Sequence, residues 1–320
     1  MRGQKHMKNK YVTFITRAIG GILVVLFILL TYRYFDGNRL LHHFSSMMKQ
    51  PDKLLMMAAV YGASFWLRAL AWKWYVRRNI PLEVYMNGLF LSLFVNHLAP
   101  IKIGDLVRVG VLAKQREVSV DEAIHSVAVL RMLDMFVLLL FSFIGVYFYF
   151  ETFSFKNFLF ILLGACAIGI CSIVLLVKWK PSFAQKHLNM ARQVWTGGAA
   201  YKMIGAVFLS WLCEAIVVFE VAKMAGLSLS AFEAVWVNSL TVAGQLFQIA
   251  PGGLATYEAV MAFALTTIHP SWDKAYTIAV LSHAFKFMFS YAVGIFVLLK
   301  HPREVLLVRS LLKKKEVRER

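Results

Sequence analysis

The sequence contains several apolar runs of about 20 residues, the length that a helix needs to cross a bilayer core about 30 Å thick. These runs constrain the fold more than any other feature. Of the 320 residues, 59% are hydrophobic and 16% are charged, whereas soluble domains carry about 25% charged residues. The composition excludes a soluble globular protein, and we predict an all-α polytopic membrane protein.

Six runs are long enough to span the membrane, and two more are interrupted by proline. The predicted crossings are 11–31, 54–72, 128–150, 158–177, 203–224 and 275–298. The run 85–99 stops at Pro100 and the run 234–250 stops at Pro251, and each is followed by a short apolar helix. Such breaks are tolerated at membrane depth only where protein or a wet cavity surrounds them. We therefore predict two re-entrant helical hairpins in addition to about six spanning helices.

The distribution of Lys and Arg favours this topology. The net charge is +18, and the cations crowd the chain ends and the loops, where they face lipid headgroups rather than a nucleic acid. With re-entrant hairpins, the cytoplasmic loops hold ten Lys or Arg residues and the outer loops hold six, as the positive-inside rule requires. We predict one transmembrane domain over 1–320 with inverted halves at 11–150 and 158–298, cytoplasmic termini, and a basic cytoplasmic tail at 299–320.

The two interrupted runs align with each other at an offset of 151 residues. Asn87 then falls on Asn238, and Pro100 falls on Pro251, each proline following an alanine. The predicted order of crossings and hairpin in the first half of the chain matches that of the second half when the first half is inverted relative to the membrane. Inverted repeats of this kind are typical of transporters, whose substrate site lies near the midplane where the broken helices meet.

The first break carries charges that a hairpin tip at membrane depth does not require. Asp105 is a predicted N-cap of the second arm, and Arg108, three residues on, is expected to pair with it. A capped helix start explains Asp105, but it leaves the cations Lys102 and Arg108 unexplained, which favours a functional role for them. The candidate residues of this break are Asn96, Pro100, Lys102, Gly104, Asp105 and Arg108.

The second break reads Pro251-Gly252-Gly253 and is followed by Glu258. The glycines permit a turn and a close approach of backbone to a ligand, and the helix start that follows favours an anion. Glu258 either balances the positive end of that helix or takes part in binding or proton exchange, and the sequence leaves both readings open.

Further ionisable residues lie inside predicted crossings, where a charge at the helix centre costs about 2.5–3.5 kcal/mol. Arg131 and Asp134 are three residues apart and are expected to pair on one helix face, in a structural or a functional role. Glu214 has no opposite charge within reach on its own helix, so it must pair elsewhere or stay protonated, and it is the best candidate for a functional carboxylate. Glu220 lies closer to the membrane boundary, where a structural role is favoured.

The last crossing carries His283 and Lys286 on one face, and Lys286 either pairs with a carboxylate such as Glu214 or extends towards the interface. The chain has no Walker phosphate loop, no nucleophile elbow and no metalloprotease helix. Its three cysteines lie in apolar runs without metal-ligand spacing. We expect no cofactor, no metal site and no catalytic residues.

These motifs resemble the flippase-like transmembrane domain of bacterial lysylphosphatidylglycerol synthase and its stand-alone relatives, over about residues 18–298. One departure is Ala255, where relatives often carry another glycine. The residues that carry the resemblance are Asn96 with Pro100, Gly104-Asp105-x-x-Arg108, Arg131-x-x-Asp134, and Pro251-Gly252-Gly253-x-x-x-x-Glu258.

The resemblance implies a bacterial cell-membrane protein that moves an aminoacylated lipid to the outer leaflet. In the full-length synthase a separate cytoplasmic domain transfers lysine from its tRNA. This chain ends about 20 residues after its last predicted crossing, and a domain needs at least about 50. We therefore expect the transferase half to be missing and the chain alone not to be an enzyme.

Our leading hypothesis is a lipid translocase whose partners are anionic or aminoacylated membrane phospholipids. Arg108 and Arg131 would hold the phosphate, and the carboxylates Asp105, Asp134, Glu214 and Glu258 would offset that charge, bind an amino group or exchange protons. One alternative is a membrane component of envelope-lipid synthesis that works with a separate cytoplasmic transferase. Another is a carrier of small solutes or ions.

Overall fold

The computed structural model describes residues 21–22, 25–29, 31–33, 35–99, 103–150, 198–247 and 250–302, with single positions at 156, 178, 185, 189 and 192. The predicted crossing 158–177, most of the crossing 11–31, the tail beyond 302, and Pro100 and Lys102 lie outside these described residues. No strand is assigned within them, and the predicted all-α class is confirmed for this part of the chain.

Helices account for most of the described chain. Their bounds are α1 (Gly37–Met48), α2 (Pro51–Val76), α3 (Leu82–Leu98), α4 (Gly104–Ala113), α5 (Val120–Tyr149), α6 (Ala199–Glu214), α7 (Ile216–Met224), α8 (Ala231–Gly244), α9 (Thr256–Ile268) and α10 (Trp272–Lys300), with 3₁₀ turns at Gln245–Phe247 and Pro251–Gly253.

Within the described residues, four helical segments are long and apolar enough to cross a membrane: α2, α5, α6 together with α7, and α10. They coincide with the predicted crossings 54–72, 128–150, 203–224 and 275–298. Ala215, between α6 and α7, keeps a right-handed helical backbone with φ −64° and ψ −15°, so the chain continues in the same direction across that junction.

Side-chain caps fix where two of these helices begin. Ser119 Oγ accepts a hydrogen bond from the Glu122 backbone N–H at 3.3 Å, and the Glu122 carboxylate accepts one from the Ser119 N–H at 2.9 Å. Ser230 and Glu233 form the same reciprocal pair at the start of α8. Each pair satisfies two backbone donors that a helix start otherwise leaves without partners.

The interrupted runs form two helix pairs. Helix α3 packs against α4, and α8 packs against α9. The turn Pro251–Gly253 in the second break packs against α3, so the second break lies against the first arm of the other pair, as an inverted repeat predicts. Re-entry of the two pairs into a bilayer stays a prediction.

Close packing at two glycines joins these pairs to the spanning helices. A Cβ on Gly294 of α10 would meet the ring of Phe94 on α3, and a Cβ on Gly145 of α5 would meet the ring of Trp236 on α8. Trp236 is fully buried and its indole N–H donates to the Ser142 carbonyl at 3.1 Å. The missing side chains allow the helices to approach closely, which holds both pairs around the centre of the molecule.

Candidate functional site

A cavity of about 130 Å³ lies among the helix pairs and the spanning helices. We call it the central cavity. Its wall is unusual for a membrane protein because four cationic and three anionic side chains line it within the part of the chain that the structure describes. The cations are Arg68, Arg108, Arg131 and Lys286, and the anions are Asp105, Asp134 and Glu214.

Glu214 is the most heavily paired of these carboxylates. Arg68 Nη2 donates to Glu214 Oε2 at 2.6 Å, and Lys286 Nζ donates to Glu214 Oε1 at 3.0 Å. Glu214 is 4% exposed, so the two charge-assisted hydrogen bonds are formed away from water, where they are strong. Of the two alternatives that the sequence left open for Glu214, the structure shows pairing beyond its own helix, and Lys286 is one of its partners.

Arg68 was not among the residues predicted from the sequence. Its Nε donates to Ser210 Oγ at 3.2 Å and lies 3.8 Å from Asp134 Oδ1, and its guanidinium stacks 4.0 Å from the centroid of the Trp211 ring. The sequence does contain a signal for Arg68, because a single arginine inside the apolar run 54–72 must find a buried partner. The argument applied to Glu214 finds Arg68 as well.

Arg131 and Asp134 do not pair in the way their spacing predicts. Arg131 Nε lies 3.7 Å from Asp105 Oδ2 on α4, whereas Asp134 accepts a hydrogen bond from the Trp211 indole N–H at 3.1 Å. Residues three apart differ by about 60° around a helix axis. That angle directs the two side chains to different neighbours, so each finds its partner on another helix.

The start of α4 also differs from the prediction. Asp105 does pair with Arg108 at 3.3 Å, but the N-cap residue is Ile103 and Asp105 lies in the first turn. Asn96 on α3 replaces the expected cap, because its Oδ1 accepts the Gly104 backbone N–H at 2.8 Å. Asp105 is therefore left with its carboxylate directed at two arginines, and its side chain stays 36% exposed.

Gly104 allows this arrangement by its lack of a side chain. A Cβ there would lie 2.5 Å from Ser92 Oγ and 2.7 Å from Asn96 Nδ2, and it would also meet the Ser92 carbonyl oxygen. Any larger residue must push α3 and α4 apart. The position therefore acts through packing, and it brings Asp105 and Arg108 to the cavity wall.

Two polar groups of the cavity region have spare hydrogen-bonding capacity. Arg108 is 4% exposed and lies 5.0 Å from the centroid of the Trp72 ring, and its Nε has no hydrogen-bond partner among the described residues. Asn238 accepts a hydrogen bond from Lys286 Nζ at 2.9 Å, while its amide nitrogen has no partner within the same part of the chain. A buried polar group without a partner is costly, so these groups are suited to a polar ligand.

The second break is built on two residues with positive φ, Gly252 at 66° and Gly253 at 79°. A Cβ on Gly252 would meet the Phe287 ring. The Gly252 carbonyl accepts a hydrogen bond from His283 Nε2 at 3.1 Å, and His283 Nδ1 lies 2.7 Å from Glu258 Oε1. The predicted turn is confirmed, and Glu258 has its own partner on α10.

The predicted site residues thus fall into three groups. On the wall of the central cavity are Asn96, Asp105, Arg108, Arg131, Asp134, Glu214 and Gly252. Gly104, Pro251, Gly253 and Glu258 do not line the cavity. Cβ atoms on Gly104 and Gly253 would meet the wall residues Asn96 and Gln245, Glu258 contacts His283, and Pro251 is exposed. Pro100 and Lys102 lie outside the described residues, and their place in the site stays a prediction.

An open apolar groove of about 720 Å³ runs along α4 and α5. We call it the α4–α5 groove. Asp105 and Arg131 line both this groove and the central cavity, so the two spaces adjoin at that ion pair. The other described residues of its lining are apolar: Leu106, Val109, Ile124, Val127, Ala128, Met132, Met135, Phe136 and Leu139.

The chain is similar to one known family. A family model described as the lysylphosphatidylglycerol synthase TM region matches residues 17–294. The match includes both breaks and every residue that lines the central cavity and the α4–α5 groove. No curated protein and no solved structure matches the chain.

Proposed function

This chain belongs to the lysylphosphatidylglycerol synthase TM region family, and we propose that it is a translocase that moves a phosphate-bearing phospholipid between membrane leaflets. The headgroup is anionic or carries an amino acid. The family assignment agrees with the resemblance found in the sequence motifs. It makes the chain a membrane protein of a lipid-synthesis and flippase family, and the transport activity is our proposal.

The observation that carries the proposal is the junction of a polar space with an apolar one. The central cavity and the α4–α5 groove adjoin at Asp105 and Arg131. A phospholipid is the common ligand whose polar and apolar parts must be bound side by side. In this arrangement the headgroup occupies the cavity while an acyl chain stays in the groove.

The charge balance of the cavity supports an anionic headgroup. Among the described residues, its wall carries one more cation than anions. Lys286 and Arg68 are already bound to Glu214, which leaves Arg108 and Arg131 with the single exposed carboxylate of Asp105. A phosphate offers the oxygen geometry that arginine binds in bidentate fashion. These two arginines are therefore the proposed phosphate ligands.

The groove supports a lipid ligand over a small solute or an ion. Met132 is 66% exposed and Phe136 is 57% exposed on the same helix face, and such a surface needs apolar cover. Arg131 lies on α5, which is long and apolar enough to cross a membrane, and three residues inside the predicted crossing 128–150. The apolar lining of the groove continues along α5 from Arg131 through Met132, Met135, Phe136 and Leu139, so an acyl chain in the groove would pack against this helix.

The junction of the cavity and the groove also contains a carboxylate that can accept hydrogen bonds from the amino group of a headgroup. Asp105 is the partly exposed carboxylate of the wall, and an ammonium group pairs well with a carboxylate. Participation of a separate cytoplasmic transferase remains a prediction from the family resemblance.

The test is leaflet exchange in vesicles that contain the purified protein and a fluorescent phosphatidylglycerol. The wild-type protein should accelerate exchange. Arg108→Ala removes a proposed phosphate ligand, so we expect exchange to fall about tenfold or more, the loss that one charge-assisted hydrogen bond implies. Arg39→Ala, at an exposed arginine of α1, is the matched control and should keep the wild-type rate.

A second pair of variants tests the groove. Ala128→Trp places a large side chain in the α4–α5 groove and should slow exchange, whereas Ala292→Trp makes the same change at an exposed position of α10 and should not. Wild-type rates in both Arg108→Ala and Ala128→Trp, at equal protein in the vesicles, would contradict the proposed lipid path.

A further inference from the structure

Both ring nitrogens of His283 are engaged in hydrogen bonds in the protein interior. The side chain is 2% exposed. Its Nδ1 lies 2.7 Å from Glu258 Oε1, and its Nε2 lies 3.1 Å from the Gly252 carbonyl oxygen. Its partners belong to the turn of the second break and to the helix that follows it.

These contacts determine how many protons the pair holds. A carbonyl oxygen only accepts, so the contact between His283 and Gly252 is a hydrogen bond when the hydrogen is on Nε2. The contact between Nδ1 and Glu258 Oε1 then needs a proton of its own. Either Glu258 is protonated and donates to a neutral imidazole, or the imidazole is doubly protonated and donates to a carboxylate. In both cases the pair binds one exchangeable proton and is neutral as a whole.

Loss of that proton is incompatible with the observed geometry. Nδ1 and Oε1 would then face each other as two acceptors at 2.7 Å. Glu258 Oε2 has no hydrogen-bond partner among the described residues, so within that part of the chain no second hydrogen bond holds the carboxylate. The two side chains must therefore move apart when the proton leaves.

The surrounding titratable groups do not supply a substitute proton. Tyr257 stacks on the imidazole with ring centroids 4.1 Å apart, and the His97 ring on α3 lies 6.3 Å away. The His97 Nδ1 is engaged with the Leu93 carbonyl. Lys286, one turn along α10, is bound by Glu214 and Asn238. Tyr276, on the preceding turns of α10, pairs with the Thr31 hydroxyl.

We propose that Glu258 and His283 form a proton-binding site that couples lipid movement to the movement of protons. The inference rests on the proposed translocase function. Gly252 and His283 line the central cavity, so separation of the pair releases the second break and reshapes the cavity wall. In each cycle the proton is taken from water on one side, shared between Nδ1 and Oε1, and released to water on the other side, and no other bond changes.

The experiment uses the full chain in vesicles with a pH difference across the membrane. A fluorescent phosphatidylglycerol reports its distribution between leaflets, and a trapped pH-sensitive dye reports proton movement. For the wild-type protein we expect the gradient to drive an unequal leaflet distribution that reverses with the sign of the gradient. We also expect an imposed difference in lipid between leaflets to drive proton movement.

Glu258→Gln is the informative variant, because an amide N–H still donates to Nδ1 but cannot gain or lose a proton. It should abolish the gradient-driven asymmetry and the lipid-driven proton flux. Glu220→Gln makes the same change at a buried carboxylate of α7 that does not line the central cavity, and it should retain both. The wild-type proton flux tests the proposal even if Glu258→Gln fails to fold.

The possible outcomes separate this inference from the proposed function. One outcome is that the wild-type protein exchanges lipid at a rate that does not depend on the pH gradient and without any proton flux. That result overturns the proton site and leaves the translocase function intact. Retained coupling in folded Glu258→Gln overturns the proton site as well. The absence of any lipid exchange by the wild-type protein overturns both.

Discussion

Arg68 on α2 and Glu214 on α6 form a buried ion pair in which Nη2 and Oε2 are 2.6 Å apart. The two helices pack along one another, and Lys286 from α10 binds the other oxygen of the same carboxylate. A single carboxylate thus connects three helices. It fixes the wall against which the two helix pairs meet.

Arg68→Leu should destabilise the protein, because among the described residues Glu214 then keeps only Lys286 as a partner and Asp134 loses its ion pair with Arg68, which leaves the buried cluster with an excess negative charge. We expect the free energy of unfolding to fall by about 3–5 kcal/mol, measured by thermal unfolding in detergent. Arg78→Leu breaks an exposed pair with Glu122 and should cost about 1 kcal/mol or less. Equal losses in the two variants would show that the buried pair contributes no more to the free energy of unfolding than the exposed pair.

Gly104→Ala should weaken the contact between α3 and α4, because the new Cβ would lie 2.5 Å from Ser92 Oγ and 2.7 Å from Asn96 Nδ2. We expect the free energy of unfolding to fall by about 1–3 kcal/mol, as for other overpacked sites. Gly205→Ala on α6 is the control, since nothing lies within 4 Å of the position that its new methyl group would occupy. That change should be neutral or stabilising by up to about 1 kcal/mol.

Ala255→Gly should stabilise the protein. Ala255 has φ 71° and ψ −46° at the start of α9, a backbone conformation that is costly for a residue with a Cβ and cheap for glycine. We expect a gain of about 1 kcal/mol, whereas Ala292→Gly in the middle of α10 should lose about 1 kcal/mol. A loss of stability in Ala255→Gly would mean that the alanine methyl makes a packing contact worth more than the backbone cost.

The first turn of α3 offers a pH-dependent contact outside the apolar segments. Hydrogen bonds from Lys300 and His301 to Glu83 lower the pKa of that carboxyl. A lowered pKa means that the contact stabilises the fold above the ordinary pKa of glutamate and is lost as the pH falls through the lowered value. We expect acid to release this exposed contact at the end of α10 while the packed helices stay together, and Glu83→Gln to remove that response, as measured by the mobility of a spin label at the end of α10.

The sequence predicted much of the fold because bilayer physics leaves few choices. Apolar length predicted α2, α5, the α6 and α7 segment, and α10, and the prolines predicted both breaks. The predicted pairings were less accurate. Spacing along one helix suggested that Arg131 and Asp134 pair with each other, yet each is bound by a different neighbouring helix. Which helices face one another is a tertiary property that local spacing does not contain.

The α4 start illustrates the same limit. Asp105 is a good N-cap by residue type, but Asn96 reaches the Gly104 N–H from the neighbouring helix at 2.8 Å. That contact exists only because Gly104 lets the helices approach. The cap is therefore decided by the packing of two helices, which residue preference along a single helix does not capture.

The most direct test of the account is photo-crosslinking in vesicles with a phosphatidylglycerol that carries a photoreactive group on its acyl chain. A lipid held with its headgroup at Arg131 should label the α4–α5 groove, at Met132 and Phe136, and Arg131→Ala should greatly reduce that labelling. Phe296, 63% exposed on α10, reports ordinary lipid contact and should be unaffected by the variant. Equal labelling of Phe136 and Phe296, unchanged in Arg131→Ala, would contradict the claim that this groove and cavity bind one lipid together.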